Sequence, residues 1–403
     1  MKELVFICLP YWPDPQSTSQ LFGDLFSRLA RCGDFRIKVL CGFPSRRPGT
    51  NPALPRRQSV DGVEIVRCGF NIDGKKNLLS RFLVYASFLA GVGIRLLSVG
   101  CRSVVMGVTN PPFLGNLLWL RSLLGRFSYH YFLLDVFPDA LERMGRIRQG
   151  GIIGRTWRFF NKLCYRRAER TVVLGRDMAA MLRRDYGLDA GRIAYVPHWS
   201  VMEVARPRPF DGNPLAAELG LKDKFVVQYS GNMGLWHDMD ILVKAAHELR
   251  SRPDIHFLFI GGGMRRRAAE ELSRSLGLTN ITWLNFVPKE RLPESLSCCH
   301  ASIISLRAGL SGMAVPCKLY GILASGRAVI GHVPADSEVG LAVTEENCGL
   351  VIPPGDLNSL VAGIRELAAD RVLTEEMGRR AFAAYQAKYT LEQAVRAFAR
   401  LLR

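Results

Sequence analysis

Three apolar runs in the second half of the chain each end in glycine, and that recurrence constrains the fold more than any other feature. They are Val226-Val227-Gln228-Tyr229-Ser230-Gly231-Asn232-Met233-Gly234, Phe257-Leu258-Phe259-Ile260-Gly261-Gly262-Gly263, and Val315-Pro316-Cys317-Lys318-Leu319-Tyr320-Gly321-Ile322-Leu323-Ala324-Ser325-Gly326-Arg327-Ala328-Val329-Ile330. In an open α/β sheet, ligands bind beyond the carboxyl ends of the strands. Glycine lets the backbone approach a phosphate there, and a helix start offers free N–H donors. Each run alone is ordinary turn chemistry; their order and spacing predict a nucleotide crevice.

The same strand–helix alternation occupies the first half. Strands are expected at residues 36–41, 63–68, 103–107, 128–134, 171–174 and 193–196, after a first strand in Met1–Pro10. Alternation of this kind implies right-handed βαβ units and parallel sheets. A chain of 403 residues exceeds one ordinary core and suits two domains. The proline-bearing stretch from Pro197 through Pro207, Pro209 and Pro214 marks the boundary. The expected division is 1–200, 201–375 with strands near 225–230, 255–260, 281–284, 301–305 and 328–331, and a final helical region at 376–403.

The net charge of +18 is lopsided: residues 1–200 hold 30 Lys/Arg and 14 Asp/Glu, a balance of +16, leaving +2 for the rest. A basic half serves nucleic acid, anionic lipid or a phosphorylated substrate. The apolar segment 78–99 approaches the length of a membrane span. Arg81 and Arg95 leave thirteen uncharged residues between them, fewer than the roughly 20 a span needs. With Lys75, Lys76 and Arg102 flanking it, the segment reads equally as an amphipathic helix at a membrane surface or as a core helix. The N-terminal run lacks a cleavage site and reads as a strand, not a signal peptide. The ten cysteines show no metal-like spacing, Cys298-Cys299-His300 included, so free thiols in a reducing cytoplasm and no metal site are expected.

Taken together, these segments resemble the retaining glycosyltransferases of family 4, in the branch that builds capsule, exopolysaccharide and O-antigen chains. The resemblance spans nearly the whole chain. It implies the GT-B architecture: two Rossmann-like, doubly wound parallel-sheet domains facing across a cleft, the first binding acceptor and the second the nucleotide sugar, with the last helix packing back on the first. It also implies donor contacts at Gly231, Asn232 and Gly234 for the diphosphate, and at Phe286 and Val287 for the nucleobase. Ser311, Gly312 and Met313 become donor contacts in a loop, and Lys318 and Gly321 in a helix. Asp135, at a strand end, falls where many relatives place a histidine facing the sugar, and is the candidate catalytic residue. No cofactor beyond a UDP-linked donor substrate is implied, and no metal.

Two departures stand out. The family's arginine and lysine after the first glycine are replaced by Asn232 and, approximately, His237-Asp238, so Lys318 is the cation left to meet phosphate. The two glutamates of its E-x7-E signature fall at Met313 and Gly321. The expected activity is sugar transfer to a lipid-linked, polyprenyl diphosphate saccharide by a protein peripheral to the inner face of the cytoplasmic membrane, with an anionic membrane surface as partner. The alternative is a degenerate partner subunit that lost chemistry with the glutamates. A nucleic-acid binder lacks any recognition motif, and a nicotinamide oxidoreductase lacks G-x-G-x-x-G after the first strand, where Pro10-Tyr11-Trp12-Pro13 stands.

Overall fold

A computed structural model describes residues 2–14, 16–44, 54–72, 77–125, 127–200 and 207–403; Lys75 and Lys76 lie outside them. The chain divides into two compact units, Met1–Pro197 with Leu391–Arg403, and His198–Thr390.

The first unit holds strands β1 (Lys2–Ile7), β2 (Phe35–Cys41), β3 (Arg57–Val60), β4 (Val63–Arg67), β5 (Val104–Val108), β6 (Tyr129–Leu133), β7 (Arg170–Val173) and β8 (Ile193–Tyr195). They form one sheet in the order β3-β4-β2-β1-β5-β6-β7-β8. Every neighbouring pair is parallel except β3 with β4. That antiparallel edge was not expected, and its cause is local. Asp61 and Gly62 both take positive φ (48° and 79°), the backbone of a two-residue Asp-Gly hairpin.

Helices α1 (Ser17–Arg31), α2 (Leu78–Leu96), α3 (Leu114–Leu123), α4 (Asp139–Arg143), α5 (Ile152–Arg167) and α6 (Arg176–Tyr186) connect these strands. Right-handed crossovers carry α2, α3 and α5 to one face, because β4 to β5, β5 to β6 and β6 to β7 all step the same way along the sheet, and α1 to the other. Beneath α1, Phe6, Phe22, Phe26 and Phe132 interlock edge-on and stacked with ring centroids 4.6–5.7 Å apart. Neither Ser17 nor Thr18 caps α1. Gln16 occupies the cap position and makes no side-chain cap bond.

In the second unit, strands β9 (Phe225–Ser230), β10 (Ile255–Ile260), β11 (Ile281–Leu284), β12 (Ala301–Ser305), β13 (Ala328–His332) and β14 (Gly349–Ile352) form a fully parallel sheet in the order β11-β10-β9-β12-β13-β14. Helices α7 (Pro214–Glu218), α8 (Met239–Glu248), α9 (Arg266–Ser275), α10 (Leu292–Leu296), α11 (Lys318–Ala324), α12 (Glu338–Glu345), α13 (Leu357–Ala369) and α14 (Arg371–Lys388) cover it. Side chains alternate between faces along each strand, so Phe225, Val227 and Tyr229 join one core with Leu242 and Ile364. Val226, Leu258 and Ile260 join another with Leu215, Cys298 and Cys299. A strand buried on both faces needs no polar alternation, which is why these runs read as continuously apolar.

The final helical region is two helices. α14 belongs to the second unit, whereas α15 (Leu391–Leu402) belongs to the first, where Phe398 lies 5.8 Å from Phe132 and 6.3 Å from Phe22 between ring centroids.

Candidate active site

Beyond the carboxyl ends of β9 and β10, two glycine-rich loops touch backbone to backbone. A Cβ on Gly261 would stand 2.1 Å from the Gly231 carbonyl oxygen, and one on Gly263 would stand 2.6 Å from Asn232 Oδ1 and the Met233 carbonyl oxygen. Both take φ near +130°, which side chains rarely adopt. Hydrogen bonds from Gly231 N–H to the Ile260 carbonyl (2.8 Å) and from Met233 N–H to the Gly262 carbonyl (2.6 Å) close the pair. The glycines therefore serve the approach of one loop to the other.

Lys318, the first residue of α11, reaches into this pair. Its Nζ donates to the Asn232 carbonyl at 3.2 Å and to His237 Nε2 at 3.1 Å, and lies 5.0 Å from the centroid of the Tyr229 ring. Tyr229 Oη donates to the same Asn232 carbonyl at 2.9 Å. His237 Nδ1–H donates to the Ser305 carbonyl at 2.6 Å, which leaves Nε2 with a lone pair to accept from the ammonium. Burial and then the charge of Lys318 push His237 down to about 3, so its imidazole is neutral. Burial pulls Lys318 itself down to about 8, still charged at neutral pH. Two of its three N–H bonds are spent on these partners and one is left for a ligand. α11 spans seven residues, so the ammonium rather than the helix end supplies the positive charge.

The expected diphosphate residues Gly231, Asn232 and Lys318 thus come together, with Gly234 one turn of loop away: a Cβ there would be 3.0 Å from Asn232 Nδ2. Phe286 follows β11, is 63% exposed, and its Cε2 lies 3.3 Å from where a Cβ of Gly262 would stand. Val287 is half-buried against the core that holds Leu258 and Ile260. Ser311, Gly312 and Met313 form a turn after β12. Ser311 Oγ donates to Asp336 Oδ1 at 2.8 Å, Gly312 takes φ 76°, and the Met313 side chain is fully buried. That burial leaves only the backbone of Met313 available to a donor. Gly321 stands one turn after Lys318 in α11, with Leu296 Cδ1 3.4 Å from the position of a Cβ.

Three residues that sequence reasoning passed over shape this site. His237 was noted only as filling the place of a family lysine; it orients Lys318 instead. Arg266 donates from Nη1 to the Gly261 carbonyl, to the Leu284 carbonyl at 3.1 Å and to Asn285 Oδ1 at 2.7 Å, pinning the ends of β10 and β11. Ser305 accepts from His237 through its carbonyl and from Asp238 N–H through its hydroxyl at 3.1 Å. No spacing rule announces these three, because each acts across strands distant in sequence.

In the first unit, Asp135 follows β6, half-buried. Its N–H and that of Leu134 donate to Thr109 Oγ1 at 3.3 and 3.1 Å, a bridge from the end of β5. Burial pushes its carboxyl up to about 6. Asp139 accepts from Arg158 Nε (3.1 Å) and Tyr186 Oη (2.5 Å), while Arg158 also pairs with Glu142 at 2.7 Å. Pro138 occupies the cap position. The first-unit loops and the second-unit loops each lie at carboxyl ends of parallel strands, the position at which such sheets bind ligands.

Two parallel-sheet α/β units, each with its loops at the carboxyl ends of its strands, are the GT-B architecture. Residues 19–199 match the glycosyl transferase 4-like domain and residues 214–384 the glycosyl transferases group 1 domain, so the chain is built of two glycosyltransferase domains. It is 27% identical over 302 residues to the probable glycosyltransferase WbjE of Pseudomonas aeruginosa, covering 74% of each chain. It is 25% identical over 379 residues to the putative colanic acid biosynthesis glycosyl transferase WcaI of Escherichia coli (strain K12), covering 91% of this chain and 92% of the relative. Among solved structures it is similar to sucrose-phosphate synthase from Thermosynechococcus elongatus (TM-score 0.78, 17% identity, 100% and 98% of the two chains). It is also similar to HepE of Anabaena, solved in complex with UDP and glucose (TM-score 0.74, 14% identity, 100% and 99% of the two chains).

Proposed function

We propose that the chain transfers a sugar from a UDP-linked donor to a lipid-linked, polyprenyl diphosphate saccharide in cell-surface polysaccharide biosynthesis, working at the inner face of the cytoplasmic membrane. The observation that carries the reading is the Lys318 ammonium, held by Asn232, neutral His237 and the Tyr229 ring beside loops that only glycine can form. A donor diphosphate laid against Asn232 and Gly234 receives their backbone N–H groups and one charge-assisted hydrogen bond from Lys318. Phe286, exposed beside Gly262, offers an aromatic face to the base, and Arg266 holds the loop that carries it.

The name of WcaI, a putative colanic acid biosynthesis glycosyl transferase, supports a place in polysaccharide assembly, and HepE and its UDP support the donor class. The resemblance supports retention of configuration: the acceptor attacks from the face the diphosphate leaves, and a phosphate oxygen takes the acceptor proton. In this reading Asp135 binds a hydroxyl of the sugar or of the acceptor. Neither of the family's two carboxylates is needed for that step, and a divalent metal is not needed where Lys318 and backbone donors meet the charge.

Thermal stabilisation by UDP, GDP, ADP and CMP and their sugars tests the reading, because a ligand of the folded state raises the melting temperature. The expected result is a rise selective for UDP compounds, unchanged by EDTA and lost in Lys318→Ala. No rise with any nucleotide would favour the degenerate partner subunit.

A further inference from the structure

From Gly74 to Leu134 the sequence contains no Asp or Glu, and neither does α5. Helices α2, α3 and α5 are therefore free of carboxylates altogether, in a chain with 36 of them. The three helices form one layer. α3 packs on both α2 and α5, and two arginines tie the layer together. Arg121 Nε donates to the Leu96 carbonyl at 3.1 Å, and Arg167 donates to the hydroxyl and carbonyl of Ser122, each at 3.3 Å.

The outer surface of this layer is apolar. Leu79, Phe82 and Ile94 on α2, Leu120 and Leu123 on α3, and Ile152 and Phe159 on α5 are each more than half exposed. Their separations, 3 and 12 residues on α2, 3 on α3 and 7 on α5, keep them on one side of each helix. Basic residues of α5 interleave with them: Arg155 and Arg166 are exposed and Lys162 is half-buried. Exposed apolar area of this extent on a soluble unit marks an interaction surface. The absence of carboxylates beside arginine and lysine matches an anionic partner.

Among the described residues α2 alone is long and apolar enough, by length and composition, to cross a membrane, but its inner face is committed. Phe88, Val92 and Leu96 are buried in the first unit. A Cβ on Gly69 would stand 2.9 Å from the Phe88 N, and one on Gly91 3.2 Å from Cys68 Cβ, so the helix is seated against the chain after β4. A helix with one face in the core and one in solvent lies along a surface rather than through it.

We infer that α2, α3 and α5 together form a docking face for an anionic lipid bilayer, entered by the apolar side chains and held by the basic ones. This deepens the membrane placement proposed above, and its test needs neither donor nor acceptor. Failure here is thus distinguishable from failure of sugar transfer.

The test is co-sedimentation of the full chain with phosphatidylcholine vesicles with and without phosphatidylglycerol. The face predicts binding about tenfold tighter to the anionic vesicles, weakened by salt. One substitution per helix, Phe82→Ser, Leu120→Ser and Phe159→Ser, should each weaken binding several-fold with an unchanged melting temperature, since all three sites are exposed. Arg155→Glu with Arg166→Glu should remove the preference for phosphatidylglycerol. Wild-type vesicle binding by the α3 and α5 variants would overturn the proposal. So would absence of vesicle binding together with a concentration-dependent dimer that the same substitutions dissolve, because the face would then belong to a second copy of the chain.

Discussion

At the scale of single residues, two buried ionisable groups predict opposite pH behaviour. The Asp135 carboxyl is pushed up to about 6 by burial, above the roughly 3.9 of an unfolded aspartate. The folded chain therefore holds the extra proton between those values, and stability falls as pH rises through that window. Asp135→Asn should raise stability at pH 7.5 by about 1–3 kcal/mol and have little effect below pH 4, measured by denaturant melts at both. If the substitution destabilises at pH 7.5, burial is not what dominates this carboxylate. Lys318 runs the other way: burial pulls it down to about 8, and a bound diphosphate favours its charged form. Donor affinity should therefore fall as pH rises through 8, approaching tenfold per pH unit above it. Lys318→Arg, charged throughout, should flatten that dependence even if it binds more weakly.

At the scale of elements, the two kinds of glycine in the second unit separate by experiment. Gly261 carries positive φ and a Cβ site 2.1 Å from a neighbouring carbonyl oxygen, so Gly261→Ala should cost at least about 2 kcal/mol and abolish nucleotide binding. Gly321 lies inside α11 with an ordinary 3.4 Å neighbour, and Gly321→Ala should stabilise by about 0.5–1 kcal/mol. A reversed order in thermal melts would show that the loop contact is not the constraint described.

This contrast also marks what a reader of the sequence can reach. The glycine-ended strands were legible because burial on both faces leaves an unbroken apolar run that glycine must end. Gly231 and Asn232 stand at the end of such a run, whereas Lys318 was reached through the family resemblance. The edge strand β3 was not anticipated although Asp61-Gly62 announced it, since four half-exposed residues carry no apolar signal. β14 escaped for a similar reason, being four residues long and buried fully only at Ile352. His237, Arg266 and Ser305 were out of reach, because their partners lie on other strands and only the sheet order brings them together.

For the whole molecule, the last helix completes the first unit. Phe398 stacks with Phe132 and meets Phe22 edge-on. Phe398→Ala should therefore cost the first unit about 3–5 kcal/mol, while UDP stabilisation of the second unit persists. Loss of nucleotide binding in that variant would mean the units do not fold as separately as their contacts indicate. The excess positive charge lies in residues 1–200, whereas the strand-end lysine belongs to the second unit.

The most direct test of the central claim is calorimetric titration of UDP into the wild-type chain and Lys318→Ala at pH 7 and pH 9. The account predicts binding by the wild type at pH 7, about tenfold weaker at pH 9, and binding by the variant that is at least tenfold weaker than the wild type at pH 7 and indifferent to pH. Equal affinity of the two proteins, or no heat with UDP at either pH, would contradict it.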